Sequence, residues 1–305
     1  MRGDVVAGFA ATTRFGSVSL APVCPLGMID AEARTIRTSV PLAFSDKLRR
    51  LAEAPQAALA FFRREHGLSS RPGFVLAQGE VTFPDTIPPE HLVELEEQAP
   101  QYLGPFHVGR LLRALGGAAY YEQRIPVTLH VSRLRYWEDP SATDDPIVAG
   151  SEPPAFAPPA QQPPKQGTAP VVAASKYARQ IERSNDHLLG WIDGDGLPTV
   201  VPVEPVVDGD RVRFERGDLP SGGRRAALMG YWYNRQLHGQ GALMNRGWME
   251  VDDHGATFAA SSCQKFNTPP GRFVQTKVLP VGIGFMYRKA VRSGAVRDET
   301  FVRPA

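Results

Sequence analysis

Short apolar runs separated by turn residues recur along the whole chain of 305 residues, a pattern that is typical of many β-strands. In the run 73–83, Phe74, Leu76 and Gln78 fall on one face, and Val75, Ala77 and Val81 fall on the other. We expect the strands over 17–25 and 34–39 to pair through a turn around Asp30. The other predicted elements of the first half are strands over 57–62 and 125–137 and helices over 45–54, 89–98 and 106–115.

The second half shows a similar order of patterns. Its hairpin over 197–215 has a turn at Asp208-Gly209-Asp210. Gly222-Gly223-Arg224-Arg225 is predicted to open a helix that extends through Asn234. The remaining predictions are helices over 172–183 and 282–291 and strands over 187–193, 247–251, 256–261 and 272–279.

Because both halves repeat strands, a loop, a helix and strands, the sequence predicts a mainly β (α+β) protein with two small barrels and flanking helices. Between Ser151 and Pro170 lie seven prolines and no periodic apolar face. Such a run favours extended, unpaired backbone. We therefore expect barrels over 1–138 and 171–305 and a Pro-rich linker over 139–170; the alternative is an ordered loop on one barrel.

Composition sets the broad class of the protein. Hydrophobic residues make up 42% and charged residues 22%, with a net charge of +2, which favours a globular protein and gives no electrostatic case for nucleic-acid binding. No run reaches the length of a membrane span or a signal peptide, so the expected location is the cytoplasm. Cys24 and Cys263 are expected to be free thiols rather than a redox pair, and no metal-ligand motif is present.

Ser45 and Lys47 precede and enter a predicted helix that Pro55 ends. A helix N-terminus exposes unpaired N–H groups and attracts anions, whereas a lysine in the first turn opposes the helix dipole. A bound anion would offset this conflict. The alternative is that Ser45 is an ordinary N-cap and Lys47 is a solvated charge.

The stretch "TIRTSVPLAFSDKLRRLAEAPQAALAFF", Thr35 to Phe62, resembles the FMN-binding split barrel of pyridoxamine 5'-phosphate oxidase-like proteins and flavin- or deazaflavin-dependent oxidoreductases. "FVLAQGEV" and "LRYWEDP" resemble two further strands of that family, and the hairpin over 197–215 resembles its first hairpin. The resemblance therefore implies two tandem split barrels, the second more divergent.

The resemblance also implies a site. Thr38, Ser39, Ser45 and Lys47 would surround a cofactor phosphate, with Arg37 adding charge and Arg34 a weaker candidate. The full set of implied cofactor-binding residues is Arg37, Thr38, Ser39, Ser45, Lys47, Gln78, Trp137 and, for a degenerate second site, Arg224 and Arg225. The cofactor would be FMN, alternatively the deazaflavin coenzyme F-420, and less readily haem.

Two departures from the family bear on this site. The strand "GSVSLAPVCPL" carries no charge, although the family's flavin oxidases carry basic residues there, and the second half lacks an S-x-K motif. In the family the cofactor lies between two barrels, so the chain is expected to be an intrachain pseudo-dimer, as a monomer or a homodimer. The implied function is hydride or electron transfer to a small organic substrate, with no catalytic residue assigned. The alternatives are a non-catalytic flavin- or haem-binding protein and a cofactor-free scaffold.

Other candidate residues have ordinary explanations. His66 and His130 are expected to face solvent or pack in a barrel, and His238 follows an aromatic run. Tyr231, Trp232 and Tyr233 either stack on a bound ring or belong to the core.

Overall fold

The computed structural model describes residues 1, 4–62, 73–103, 122–234, 237, 239–268 and 279–304. Eight strands belong to the first half, with helix α1 at Ser45–Glu53 and helix α2 at Pro89–Leu103. A 3-10 helix, Leu42–Phe44, leads into α1. The strands are β1 Ala7–Thr12, β2 Val18–Val23, β3 Ile29–Asp30, β4 Thr35–Pro41, β5 Gln56–Phe61, β6 Phe74–Thr82, β7 Arg124–Trp137 and β8 Ile147–Gly150.

The second half begins with a 3-10 helix, Ala174–Lys176, and helix α3, Ala178–Arg183. Helix α4, Leu279–Arg292, and a small two-stranded sheet close the described chain. The strands are β9 Asp186–Ile192, β10 Pro198–Pro202, β11 Pro205–Asp208, β12 Arg211–Phe214, β13 Gly222–Trp232, β14 Gly241–Asp252, β15 Gly255–Asn267, β16 Val296–Arg297 and β17 Thr300–Phe301.

Two large antiparallel sheets have the same strand order. The first is β2-β1-β5-β6-β7-β4-β3, with β8 added to β7, and the second is β10-β9-β13-β14-β15-β12-β11. Each strand of the first sheet except β8 therefore has a counterpart in the second: β1 corresponds to β9, β5 to β13, β6 to β14 and β7 to β15. The chain is mainly β and folds as two tandem split barrels, as the sequence predicts.

The two barrels also share local irregularities. The pairing of β6 with β7 shifts between Gln78 and Gly79, and the pairing of β14 with β15 shifts between Arg246 and Gly247. A Cβ at Gly79 or Gly247 would collide with the backbone carbonyl of the next strand. Both positions therefore require glycine, and both mark the same bulge of the same fold.

Three apolar clusters hold the molecule together. One lies inside the first barrel and includes Phe9 and Leu59; a second lies inside the second barrel and includes Leu228 and Phe258. The third joins residues of both halves, because β2 packs against β13 and β14 while β10 packs against β5 and β6. The alternation predicted for β6 follows this division: Phe74 and Leu76 belong to the shared cluster, and Val75, Ala77 and Val81 belong to the first barrel's interior.

Several predicted elements are corrected by the structure. The segment from Gly222 is strand β13 rather than a helix, because one face enters the second barrel's interior and the other enters the shared cluster. The strand β1 was not predicted either, because it too is buried on both faces: Phe9 lies in the first barrel's interior and Ala10 in the shared cluster. The strands β2 and β4 do not pair with each other: β2 pairs with β1, and β4 pairs with β3 and β7.

Other predictions are confirmed or lie outside the described residues. The helices α1, α2 and α4 and the β11–β12 turn at Gly209 agree with the sequence. The predicted helix over 106–115 and nearly all of the predicted strand over 272–279 fall outside the described residues. Among described helices, none combines the length and the apolar character needed to span a bilayer.

The segment predicted as a linker, 139–170, contains strand β8, which pairs with β7. Residues 151–170 contain neither helix nor strand. Hydrogen bonds nevertheless attach this stretch to the second barrel: Gln161 N–H donates to the Gly223 carbonyl (2.8 Å), and the Arg224 guanidinium donates to the Pro158 carbonyl (3.1 Å).

Candidate cofactor cleft

A cleft of about 1220 Å³ lies between the two barrels. The first barrel contributes β2, the end of β4 and helix α1, and the second contributes the ends of β13, β14 and β15. Helix α4 and the C-terminal residues line it further. Typical small-molecule pockets measure about 300–1,000 Å³, so this cleft has room for a cofactor together with a substrate.

Lys47 lies in this cleft beside an aromatic ring. Its ammonium is 4.7 Å from the centre of the Phe9 ring, and no described carboxylate pairs with it. Burial, followed by repulsion from Arg50 and Arg124, lowers the pKa of Lys47 from 10.5 to about 7. Because Lys47 is half-buried and surrounded by other cations, an anion bound beside it would be stabilised.

The position of Lys47 is set by the packing of the apolar side of helix α1. Leu48 and Leu51 are buried in the first barrel's interior, and Lys47 and Arg50, three residues apart, are neighbours on the helix surface. The prediction that Ser45 caps this helix is wrong: the N-cap is Phe44, and no side chain caps the helix. Ser45 is instead the first helical residue and lines the cleft, because the preceding 3-10 helix runs directly into α1.

Ser39 lines the cleft at the end of β4 and is bonded to Arg124. The Arg124 guanidinium donates to the Ser39 hydroxyl (2.7 Å) and to the Ser39 carbonyl (3.0 Å). The register of β4 with β7 explains this contact, since Arg124 pairs with Pro41 at the start of β7. Arg124 therefore brings to the cleft a charge that the uncharged β2 does not supply.

Cys24 also lines the cleft, as a half-buried free thiol. Burial raises the pKa of Cys24 to about 11, although Arg124 and Lys47 oppose that rise. The thiol is therefore neutral at physiological pH. Thr38 is buried and does not line the cleft; its hydroxyl donates to the Cys24 carbonyl (3.3 Å).

Arg50 and Arg246 extend the positive surface across the cleft. The Arg50 guanidinium donates to the Ser19 hydroxyl of β2 (3.0 Å) and to the Asp46 carbonyl (3.0 Å). Burial and then repulsion from Arg246 lower the pKa of Arg50. Arg246, on β14 of the second barrel, is exposed.

The charge of the described lining is strongly one-sided. Its single carboxylate, Asp46, forms an ion pair with Arg49 (2.9 Å). The cations that line it besides Arg49 and Arg303 are Lys47, Arg50, Arg124, Arg246, Lys265 and Lys289. Because the chain as a whole carries a net charge of only +2, the cleft concentrates positive charge and suits an anionic ligand.

The lining also fits the ring of a flavin-type group. Apolar and aromatic side chains form part of both walls, among them Leu20, Pro22, Met244, Phe266 and Tyr231. Tyr231 is buried, and its hydroxyl donates to the Gln240 side chain (2.7 Å). A lining that combines cations with apolar side chains matches a ligand with an anionic tail and a flat ring.

Of the nine residues implied by the resemblance, three line the cleft: Ser39, Ser45 and Lys47. Arg37 lies outside it, with its guanidinium in an ion pair with Glu94 (2.7 Å). Trp137 packs on Phe74 and donates its indole N–H to the Asp144 carbonyl (2.8 Å). Gln78 is fully buried and donates to the Pro198 carbonyl (2.9 Å) at the contact with the second barrel.

Arg224 and Arg225 do not form the helix start that the sequence predicts. They lie on strand β13, where Arg224 is buried and donates to the carbonyls of Pro220 (3.2 Å) and Ser221 (2.5 Å). The Arg225 N–H and guanidinium both donate to the Gln161 side chain (3.0 and 3.3 Å). Both arginines thus attach neighbouring loop segments, and neither lines the cleft.

Sequence reasoning missed Arg50, Arg124 and Arg246. The first has a signal in the sequence, because its spacing from Lys47 places the two on adjacent positions of one helix face. Arg124 and Arg246 depend on strand register and on the packing of the two barrels, which no local pattern reveals. Among the histidines considered, His130 accepts or donates a bond with the Thr82 hydroxyl (2.8 Å); His66 and His238 lie outside the described residues.

No protein-family model matches the chain, and no curated protein matches it. Among solved structures, a heme binding protein from Mycobacterium smegmatis is 14% identical, with a TM-score of 0.31 over 94% of this chain and 93% of that one. A pyridoxamine 5'-phosphate oxidase-related, FMN binding protein from Nostoc punctiforme is 10% identical, with a TM-score of 0.29 over 43% and 73%.

A further neighbour is a protein of the pyridoxinephosphate oxidase family from Clostridium acetobutylicum, 8% identical, with a TM-score of 0.32 over 48% of this chain and 85% of that one. Two of these three neighbours carry the name of the family that the stretch from Thr35 to Phe62 resembles. The fold itself is established by the strand order and registers of this chain.

Proposed function

We propose that the cleft binds a flavin-type cofactor and that the protein is a flavin- or deazaflavin-dependent oxidoreductase acting on a small organic substrate. The observation that carries this proposal is the position of Lys47, half-buried among Arg50 and Arg124 with no described carboxylate to neutralise it. FMN is our first choice of cofactor, with the deazaflavin coenzyme F-420 as the alternative.

In this proposal Lys47 and Arg124 neutralise the cofactor phosphate, and the hydroxyls of Ser39 and Ser45 are within the same lining to donate to it. Bound flavin would itself supply the hydride or electron transfer. The side chains of Met244, Phe266 and Tyr231 would exclude water from the ring. Both barrels line the cleft, so one chain serves as an intrachain pseudo-dimer, with barrels over 1–138 and 171–305.

The test compares FMN with riboflavin, which has the same ring and lacks the phosphate. Titration of the purified protein, followed by flavin fluorescence, should show FMN binding more tightly by about tenfold or more, the contribution of charge-assisted hydrogen bonds. The absorption spectrum of the purified protein identifies any cofactor that co-purifies. Equal affinity for the two flavins would contradict the phosphate site, and a protein that binds neither a flavin nor coenzyme F-420 would contradict the proposal.

Haem is the remaining alternative from the sequence. Among the described residues that line the cleft there is no histidine to ligate iron, so we rank haem below flavin. A haem absorption band in the purified protein, abolished by substitution of a cleft residue, would reverse this order.

A further inference from the structure

Because the two barrels have matching strand registers, the molecule contains a second site whose residues occupy positions equivalent to those of the cleft. Ser19 of β2 corresponds to Thr199 of β10, because both β1–β2 and β9–β10 pair with the same turn between them. Arg246 at the bulge of β14 corresponds to Gln78 at the bulge of β6. In the cleft, Arg246 is exposed; in the corresponding place, Gln78 is fully buried and bonded to the Pro198 carbonyl (2.9 Å).

Helix α1 has no counterpart in the second barrel. Residues 42–55 separate β4 from β5 and include α1, whereas only residues 215–221 separate β12 from β13, with no helix among them. The second place therefore lacks the element that carries Lys47 and Arg50. The second site does contain two arginines, Arg133 of β7 and Arg216 of the loop 215–221, but their hydrogen-bond partners differ from those in the cleft.

Backbone carbonyls of the segment 139–152 accept hydrogen bonds from both arginines. The Arg216 guanidinium donates to the carbonyls of Ser141 (2.6 Å) and Ala142 (2.5 Å), and Arg133 donates to those of Ser151 (3.0 Å) and Glu152 (2.8 Å). Both guanidinium groups are almost fully buried. Carbonyl oxygens here supply the acceptors that an anion would supply in the cleft.

The same segment is held by further bonds along its length. Ala142 is buried in the apolar cluster shared by the barrels, and the Asp144 carbonyl accepts from the Trp137 indole (2.8 Å). Strand β8 then adds to the edge of β7 through Ile147–Gly150. Acidic groups complete the neutralisation: Asp195 pairs with Arg133 (2.5 Å) and Asp218 with Arg216 (2.6 Å).

We propose that the segment 139–152 occupies the second, corresponding site as an intramolecular ligand, so that of these two related sites only the cofactor cleft is left open for a ligand. The proposal implies that one chain binds one flavin, and this stoichiometry rests on the proposed function. The occupancy of the second site by the segment does not rest on it. The two parts are therefore tested separately.

The occupancy is tested by hydrogen–deuterium exchange of the full chain without added ligand. In wild type the amides of residues 147–151 should be protected, because β8 is paired with β7 and the Ser151 N–H donates to the Ser132 carbonyl (2.9 Å). Replacing Arg216 with Gln (Arg216→Gln) should speed exchange in residues 141–144 by about tenfold or more, since it removes the bonds to the Ser141 and Ala142 carbonyls. The matched control is Arg213→Gln, which replaces a partly exposed arginine of β12 that pairs with Glu215.

Unchanged exchange of the segment in Arg216→Gln, or an equal change in Arg213→Gln, would overturn the proposed occupancy. Thermal unfolding of both variants separates local release of the segment from global unfolding: acceleration throughout the chain would also count against the proposal. Arg133→Gln provides a second variant, with exchange expected to increase around residues 150–152.

The stoichiometry is tested by titrating FMN into wild type and Arg216→Gln. Wild type should saturate at one FMN per chain, and the affinity of the cleft should be the same in both proteins within about twofold, since Arg216 does not line it. Two equivalents of FMN bound by wild type would overturn the single open cleft. Absence of any FMN binding would contradict FMN as the cofactor and would leave the exchange experiment to decide the occupancy.

Discussion

The ammonium of Lys47 lies 4.7 Å from the centre of the Phe9 ring, which joins a cation of helix α1 to a buried residue of strand β1. The ring offsets part of the cost of burying the charge, by about 0.5–2 kcal/mol. Two guanidinium groups nearby raise that cost. The pair therefore holds a cation in place whose charge is incompletely compensated in the free protein.

We expect Lys47→Ala to weaken FMN binding by about 1.5–3 kcal/mol, or about tenfold or more, because it removes a hydrogen bond to a charged group. Fluorescence titration of FMN measures the change. Riboflavin affinity should be unaffected, because riboflavin has no phosphate for Lys47 to bind.

Lys165→Ala is the control for this substitution, since Lys165 is an exposed lysine of the Pro-rich segment and lies outside the cleft. It should leave the FMN affinity unchanged. If Lys47→Ala and Lys165→Ala bind FMN equally well, Lys47 has no part in the site.

The affinity for FMN should fall as pH rises from 7 to 9. The pKa of Lys47 is about 7 in the free protein, lowered by burial, Arg50 and Arg124, and a bound phosphate would raise it. Binding then takes up a proton over this range, and the dissociation constant increases by up to about tenfold per pH unit. Cys24, whose pKa is about 11, remains neutral throughout.

Titrations at half-unit intervals of pH measure this slope. In Lys47→Arg the charge persists over the whole range because the guanidinium does not deprotonate, so the slope should flatten. A slope that is the same in both proteins would assign the pH dependence to another group.

Gly247→Ala should lower the free energy of unfolding by about 1–3 kcal/mol or more, as overpacking does in a buried position. The added Cβ would meet the Ala259 carbonyl across the bulge of β14. Gly217→Ala is the matched control, because a Cβ there meets no atom within 4 Å. Urea unfolding monitored by tryptophan fluorescence compares the two, and equal midpoints would contradict the account of the bulge.

Trypsin should cut the native protein first after Lys165. This lysine is exposed, whereas hydrogen bonds at Pro158 and Gln161 attach the preceding residues to β13. The products, 1–165 and 166–305, should remain associated, because one apolar cluster contains residues of both halves.

Mass spectrometry of the early digest and gel filtration of the nicked protein check both parts. Lys165→Gln should remove the early cleavage. An earlier cut within either barrel, or separation of the two fragments without denaturant, would contradict the prediction.

Local pattern was sufficient for elements with one buried face. Helix α1 was predicted from the polar start at Ser45 and Lys47 and from the stop at Pro55, and both signals act within one or two helical turns. The hairpin turn at Gly209 was predicted for the same reason.

Strands buried on both faces gave no such signal. In β13, Leu228 points into the second barrel and Met229 into the shared cluster, so no polar position alternates with the apolar ones. A continuous apolar run of this kind does not distinguish a strand from a buried helix. Arg224 and Arg225 were for that reason assigned to a helix start and a second phosphate site.

The candidate site was predictable only where its residues are close in sequence. Ser39, Ser45 and Lys47 lie within one short stretch and line the cleft together. Arg124 and Arg246 reach the same cleft from 77 and 199 residues beyond Lys47, as the numbering shows, through strand pairing and barrel packing. Those contacts depend on the tertiary fold and leave no mark on the local sequence.

The missing counterpart of helix α1 has a consequence for how such a protein can change. In a homodimer every substitution appears twice, so any residue that closes one cavity closes its symmetry mate as well. Joining the two barrels in one chain removes this restriction: residues 215–221 could shorten while residues 42–55 kept their helix. One half is then free to serve as a wall and support while the other keeps the helix that lines the cleft, and each substitution changes only one of the two barrels.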